Sequence, residues 1–368
     1  MSSQSDRGIS FSIKEPQQNV RLLELPPDLL ELLTGPNPPK LEIKSSNSDS
    51  SAVVQTSPSS PAHAVLCTPT KTFNLRQVQT SNSVLLCTST GLQSGSSSAE
   101  NLSGNGICAI ATCPTTLEAI PISPSRQTAL PHLQNVLRSW NGPDDQIILS
   151  NSPSVTKKFA LFADIPVSEG ECAAAWSHLC VFEDAQGRCW NPTPVARIGA
   201  WTSLLRWMVA KGWDMHTTCR TWEEGKSARM GRMVGEVERE EGWPIELARA
   251  VLSRVGVLEE NENAELERVR IDPELLVQWT GEILLAAKTQ GSDGISTEEF
   301  VQGWRDVLPE PWVGKASLDK IRGSFANPSP STIQYTEGGQ MSGASLPNAS
   351  GGKAGSRKWH EKFKQKRK

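Results

Sequence analysis

Two hydrophobic rhythms run along the chain, and they meet near Trp140. In the first half the apolar positions fall in short β-type runs. AVLC (64–67), TFNLRQV (72–78) and SVLLC (83–87) are apolar or β-branched, and Thr68-Pro69-Thr70-Lys71 and Gln79-Thr80-Ser81-Asn82 between them are turn chemistry. The pattern predicts a small antiparallel meander. Upstream, Val20 to Leu25 leads into PPDLLELL (26–33), a short helix entered through proline and stopped by Gly35. Leu41-Glu42-Ile43 begins the sheet, and ICAIAT (107–112) and TTLEAIPI (115–122) continue it. The Ser/Pro-rich stretch 45–61 and the polar stretch 88–106 break it and read as disordered inserts.

In the second half the period lengthens to that of amphipathic helices, each followed by a strand pair. Residues 126–154 form a helical linker, interrupted by Pro131. One unit holds SEGECAAAWSHLCVFEDAQGRCWNP (168–192): Ser168 caps a helix spanning Gly170 to Glu183, and Gly187 turns a hairpin. WPIELARAVLSRVGVLEENENAELERVRID (243–272) repeats the order, and a weaker third copy runs from Ile295 to Thr336. A helix-turn-helix with a β wing has this size. The expected fold is therefore α+β and multidomain, an N-terminal β-rich heteromerisation domain (20–125) followed by tandem winged-helix domains at 155–222, 223–290 and, in part, 291–337. Residues 1–19 and the tail 338–368 are expected to be disordered.

Composition sharpens this picture. All twelve tryptophans lie at or beyond Trp140, mostly at core-filling helix positions, with one or two left over as interface anchors. No apolar run reaches the ~18 residues of a membrane span, and the N-terminus lacks a signal-peptide pattern, so a soluble intracellular protein is expected. The eight cysteines form no CxxC pair and no metal-ligand spacing with the five histidines, which predicts core thiols in a reducing compartment and no cofactor. The net charge of -3 is unevenly spread. Residues 1–150 carry 9 basic and 11 acidic groups, 151–330 carry 20 and 27, and 331–368 carry 8 and 2. A protein built chiefly to grip phosphate spreads positive charge over its folded surface, and this one does not.

Candidate chemistry is sparse. His63 and Cys67 suggest a thiol and a base, but four residues along a strand separate them by about 13 Å, too far for a hydrogen bond. GSDGISTEE (291–299) lacks the spaced ligands of a calcium loop and reads as a turn followed by a capping box on Ser296 or Thr297. Basic residues placed to touch phosphate are Arg249, Arg254, Arg268 and Arg270 in the second unit and Lys315, Lys320 and Arg322 in the third. Glu246, Glu265 and Glu267 are interleaved with the first set, so a solvated face is the competing reading. The tail from Arg357 to Lys368 has seven basic residues in twelve, which suits a nuclear-import signal or backbone-level nucleic-acid contact. No catalytic constellation emerges, and a protein that is not an enzyme is expected.

At HAVLCTPTKTFNLRQVQTSNSVLLC (63–87) the chain resembles the "defective in sister chromatid cohesion" family, in which an AVLC run, a KT-aromatic-x-L run and a TSN-plus-apolar run follow one another. LLELPPDLLELL (22–33) is similar to that family's leucine-rich element, and EEFVQGWRDVLPEPWVGKASLDKIRGSF (298–325) to its proline- and SLD-containing segment. The three blocks stand in family order between about 20 and 336. The resemblance implies a nuclear, non-catalytic subunit of the cohesion-type alternative clamp loader, related to replication factor C. Its β-rich part would join a small partner subunit and the C-terminus of the large subunit in a composite β-barrel, with Val65, Leu66, Phe73, Leu75, Val84 and Leu85 in the shared sheet. Its winged helices would engage DNA polymerase epsilon and, weakly, DNA, and so act on the sliding clamp indirectly. After Tyr335 the chain departs from the family pattern into a linker and basic tail, and DNA contacts of that last domain are not carried over. A winged-helix transcription regulator that reads DNA directly is the competing class.

Overall fold

A computed structural model of the chain describes residues 9, 11–45, 64–90, 106–122, 126–145, 157–212, 230–260, 266–291 and 294–336. His63, Trp213, Trp222, the basic tail and most of both polar inserts lie outside the described residues. The N-terminal sheet is built from β1 (Phe11–Ile13), β2 (Leu22–Glu24), β3 (Glu42–Ser45), β4 (Ala64–Cys67), β5 (Thr72–Thr90) and β6 (Gly106–Pro121), with helix α1 (Pro27–Thr34) after β2. The order is β1-β6-β5-β4-β3, and β2 joins β1 on the same side of β6. Both β1 and β2 run parallel to β6, whereas β3, β4, β5 and β6 pair antiparallel in succession.

Two sequence expectations change here. The predicted runs 72–78 and 83–87 are one strand, and so are 107–112 and 115–122. The residues read as a turn, 79–82, lie in a register shift between Gln79 and Val84, opposite Pro114. Proline has no N–H to donate to a ladder, so the pairing skips there and β5 absorbs the extra residues as a bulge instead of reversing. Residues 1–19, expected to be unstructured, contribute β1. Ser45, 88–90 and Gly106, assigned to the inserts, belong to strands.

Leu29 of α1 packs with Leu66, Phe73 and Ala119 on one face of the sheet. Proline starts that helix and Gly35 ends it, as the sequence indicated. The opposite face, bearing Cys67 and Thr72, meets the helical part of the molecule.

That part begins with α2 (Arg126–Val136), which keeps Pro131 inside it, and β7 (Arg138–Trp140). It continues through α3 (Lys158–Asp164), α4 (Glu169–His178), β8 (Phe182–Glu183), β9 (Cys189–Pro192), α5 (Pro194–Ala210), α6 (Met230–Glu241), α7 (Ile245–Val255), β10 (Gly256–Glu260), β11 (Leu266–Ile271), α8 (Pro273–Thr289), β12 (Ile295–Ser296) and α9 (Thr297–Asp306). After 3₁₀ turns at Glu310–Lys315 and Leu318–Ile321 come β13 (Phe325–Ser329) and β14 (Thr332–Tyr335). Small antiparallel pairs β8/β9, β10/β11 and β13/β14 recur, each after helices.

Helix α4 is capped by Ser168 in a full capping box with Glu171, but it ends earlier than the predicted 183 because Cys180 adopts φ 52°. Gly187, at φ 77°, makes the β8/β9 turn. Ser296 starts α9 without capping it by its side chain; the neighbouring Thr297 N–H and hydroxyl instead bond the Ser331 carbonyl, tying the helix start to β14's turn. One apolar core runs from Trp140 through Trp201, Leu204, Val251, Leu276 and Trp304 to Ile333. Gly281 lets the Trp304 ring lie against α8, where any Cβ would collide with it. A second cluster joins α2, α3 and α4 through Leu133, Phe162 and Cys172.

Candidate partner-binding surface

The ladder between β4 and β5 covers only Val65↔Asn74, Leu66↔Phe73 and Cys67↔Thr72. Beyond Asn74 the outer edge of β5 has no strand beside it among the described residues, although its other edge pairs with β6 as far as Thr90. Backbone N–H and C=O groups along such an edge are a template for another strand. Side chains alternate between faces along a strand, and Val84 (47% exposed), Leu85 (43%) and Leu86 (39%) follow one another here. Apolar surface is therefore open on both faces of the β5–β6 ribbon.

The predicted sheet residues divide into two groups. Val65, Leu66 and Phe73 are buried, and Leu75 packs partly against the α1 cluster, so this chain's own core uses them. Val84 and Leu85 are open. Burial class, rather than apolar identity, separates the groups, and a strand's alternation alone carries no such signal.

The near end of the sheet is fastened to the helical part. Lys44 of β3 donates through Nζ to the carbonyls of Phe162 (2.7 Å) and Val167 (2.9 Å). The Thr72 hydroxyl donates to the Glu171 carboxylate and accepts the Ser168 N–H at 2.8 Å. The α4 capping box thus reaches a strand residue 96 positions away. The Gly170 N–H bonds the Pro69 carbonyl at 2.8 Å, and a Cβ at Gly170 would stand 3.0 Å from that oxygen. Glu171 is 5% exposed and was not among the predicted site residues. The S-x-x-E pattern announced the cap, but nothing local announced Thr72.

Cys67 is buried, and burial pushes its thiol up, so it has little thiolate to act as a nucleophile. Burial likewise raises Cys172 to about 12 and Cys189 to about 11. No group of three or more His, Cys, Asp or Glu suited to a metal occurs among the described residues.

The predicted phosphate-contacting residues sit in different surroundings. Arg249 is exposed on α7, Arg254 is half-buried with Nε out of solvent, and Arg270 is exposed on β11. Arg268 sits at the β11 position paired with Glu259; its side chain is outside the described residues. Lys315 (2.9 Å) and Lys320 both pair with Glu274 at the start of α8, and Arg322 lies 3.8 Å from Asp319.

These features define an α+β protein whose N-terminal sheet, among the described residues, has an unpaired edge along one long strand and whose helical remainder carries recurrent strand pairs. The family model for sister chromatid cohesion protein Dcc1 matches residues 20–345, most of the chain, and the chain belongs to that family. Membership gives it a role in sister chromatid cohesion, as a partner within a cohesion-related complex. No helix among the described residues is long and apolar enough to cross a membrane.

Proposed function

We propose that the chain is a nuclear, non-catalytic subunit of the cohesion-type alternative clamp loader, completed by strands from the small and large subunits. The observation that carries this reading is the outer edge of β5 beyond Asn74, with Val84, Leu85 and Leu86 exposed beside it. Adding a strand to such an edge gives affinity through backbone hydrogen bonds and specificity through alternate side chains. The helical part, on the same reading, is a set of winged helices that links the loader to DNA polymerase epsilon and weakly to DNA, and so to the sliding clamp indirectly. Supporting it, α4, α7 and α9 each precede an antiparallel strand pair, and the family match, which runs to residue 345, includes the third pair, β13/β14. Helix α4 carries no Lys or Arg, which favours a protein over DNA opposite that unit.

Co-expression of the full chain with the two subunits, followed by purification and mass measurement, tests the reading. Leu85→Asp is expected to lower retention of the partners about tenfold or more while leaving the melting temperature of the isolated chain unchanged, because Leu85 is exposed there. Full retention by Leu85→Asp would remove the edge from the interface.

A further inference from the structure

Away from the open sheet, a cleft of about 390 Å³ lies where α2, β9, α5, α8 and β14 meet, and Arg197, Trp279, Glu282, Ala286, Thr289 and Tyr335 are among the residues lining it. None of the partner-contact or DNA-contact candidates lines it. The described chain ends on its rim. Tyr335, itself a lining residue, donates its N–H to the Thr289 hydroxyl at 3.2 Å. Thr336 donates its N–H to the Ser324 carbonyl at 3.0 Å, and the Ser324 hydroxyl donates in turn to Glu282 Oε1 at 3.0 Å. The last two described residues are thus tied, directly or through one neighbour, to two residues of the cleft wall. Residue 337 therefore leaves from the edge of the cleft.

The sequence that follows is EGGQMSGAS (337–345), with one charged residue and mostly small side chains. Gly338 and Gly339 allow the backbone to reverse at its exit. Met341 is the one large apolar side chain, unbranched and suited to filling an irregular gap. Ile283 and Ala286 give the cleft an apolar wall for it. The volume lies near the low end of the ~300–1,000 Å³ of ligand pockets, which suits a short extended run of small residues. Reach is not limiting, because nine extended residues span about 30 Å. The family match covers 337–345 and stops there, whereas the rest of the linker and the basic tail fall outside it. That tail is the poorer occupant: its seven basic residues in twelve would bring like charge against Arg197, a lining residue only 7% exposed. We infer that residues 337–345 turn back into this cleft and seat Met341 against Ile283 and Ala286, so that the linker to the basic tail begins at residue 346. The inference does not depend on the clamp-loader reading.

Full-length protein carrying ¹³C-methyl labels on methionine and alanine provides the test, with Met341→Leu and Ala286→Ser assigning the two methyl resonances. A nuclear Overhauser cross-peak between the Met341 and Ala286 methyl groups is expected. Tyr335 is the chain's one tyrosine, so 3-fluorotyrosine gives a single ¹⁹F resonance on the cleft wall. Met341→Asp, six positions away, is expected to move that resonance to its place in a chain lacking 337–345. Removal of 346–354, an equal length, is expected to leave it unmoved. Absence of the cross-peak, or a Tyr335 resonance that Met341→Asp leaves in place, would each overturn the inference. A Tyr335 response to removal of 357–368 alone would overturn it as well, by giving the cleft to the basic tail.

Discussion

Glu274 shows how far a single residue can redirect a reading. Lys315 and Lys320 stand in the sequence as basic, phosphate-contacting candidates of the third unit. Their common partner is 41 and 46 positions away, so only the fold reveals it. Hydrogen bonds from Lys320 and then Lys315 hold the Glu274 carboxyl down at about 2. A carboxylate whose folded value lies below its unfolded one contributes stability above the unfolded value and loses it as pH falls through the folded one. The stability difference between the native chain and Glu274→Gln is therefore expected to be full above about pH 4.5 and to shrink towards zero near pH 2. Urea unfolding across that range measures it, and a ¹³C titration of the carboxyl checks the midpoint. The pair is exposed, so the difference itself is small.

At the scale of elements, helix ends were legible and strand joins were not. Pro27 and Gly35 act through their own backbone conformations and Ser168 through bonds within its own turn, which is why they announce α1 and α4 directly. Strands β1 and β2 have three residues each and exist because β6 offers them a parallel edge; no local pattern encodes that. The long β5 was concealed by turn-type residues that its pairing with β6 tolerates as a bulge. The seam between sheet and helices is equally non-local, and Thr72 is its hub. Thr72→Val removes the hydroxyl that accepts the buried Ser168 N–H and donates to Glu171, leaving the weaker 3.4 Å contact from that N–H to the carboxylate. The expected loss is about 1–3 kcal/mol of unfolding free energy, read by urea denaturation, with Thr72→Ser retaining most of the native value.

Across the whole molecule, the sequence shows short strands in the first half and an acidic excess in residues 151–330, and the structure gathers six strands into one N-terminal sheet. The cleft at Trp279 could not be anticipated, since its walls come from residues between Gln134 and Tyr335. The basic candidates, drawn from composition and spacing, turn out to have different surroundings: Lys315 and Lys320 pair with Glu274, while Arg249 and Arg270 are exposed in the α7–β11 region. Reversing Arg268 and Arg270 together to Glu is expected to weaken DNA binding at low salt and to flatten its dependence on salt concentration by one to two ions released, roughly one per phosphate contact. Filter binding at several ionic strengths decides it, and unchanged affinity would leave that wing to protein or solvent.

The margin of β5, bare beyond Asn74 among the described residues, also has a cost when the chain is alone. A long ribbon whose hydrogen-bonding groups await a neighbour can recruit a second copy of itself as readily as its proper companion. Cells making it in excess of its companions would then hold clumped or degraded surplus, so its abundance should track theirs and fall when they are depleted.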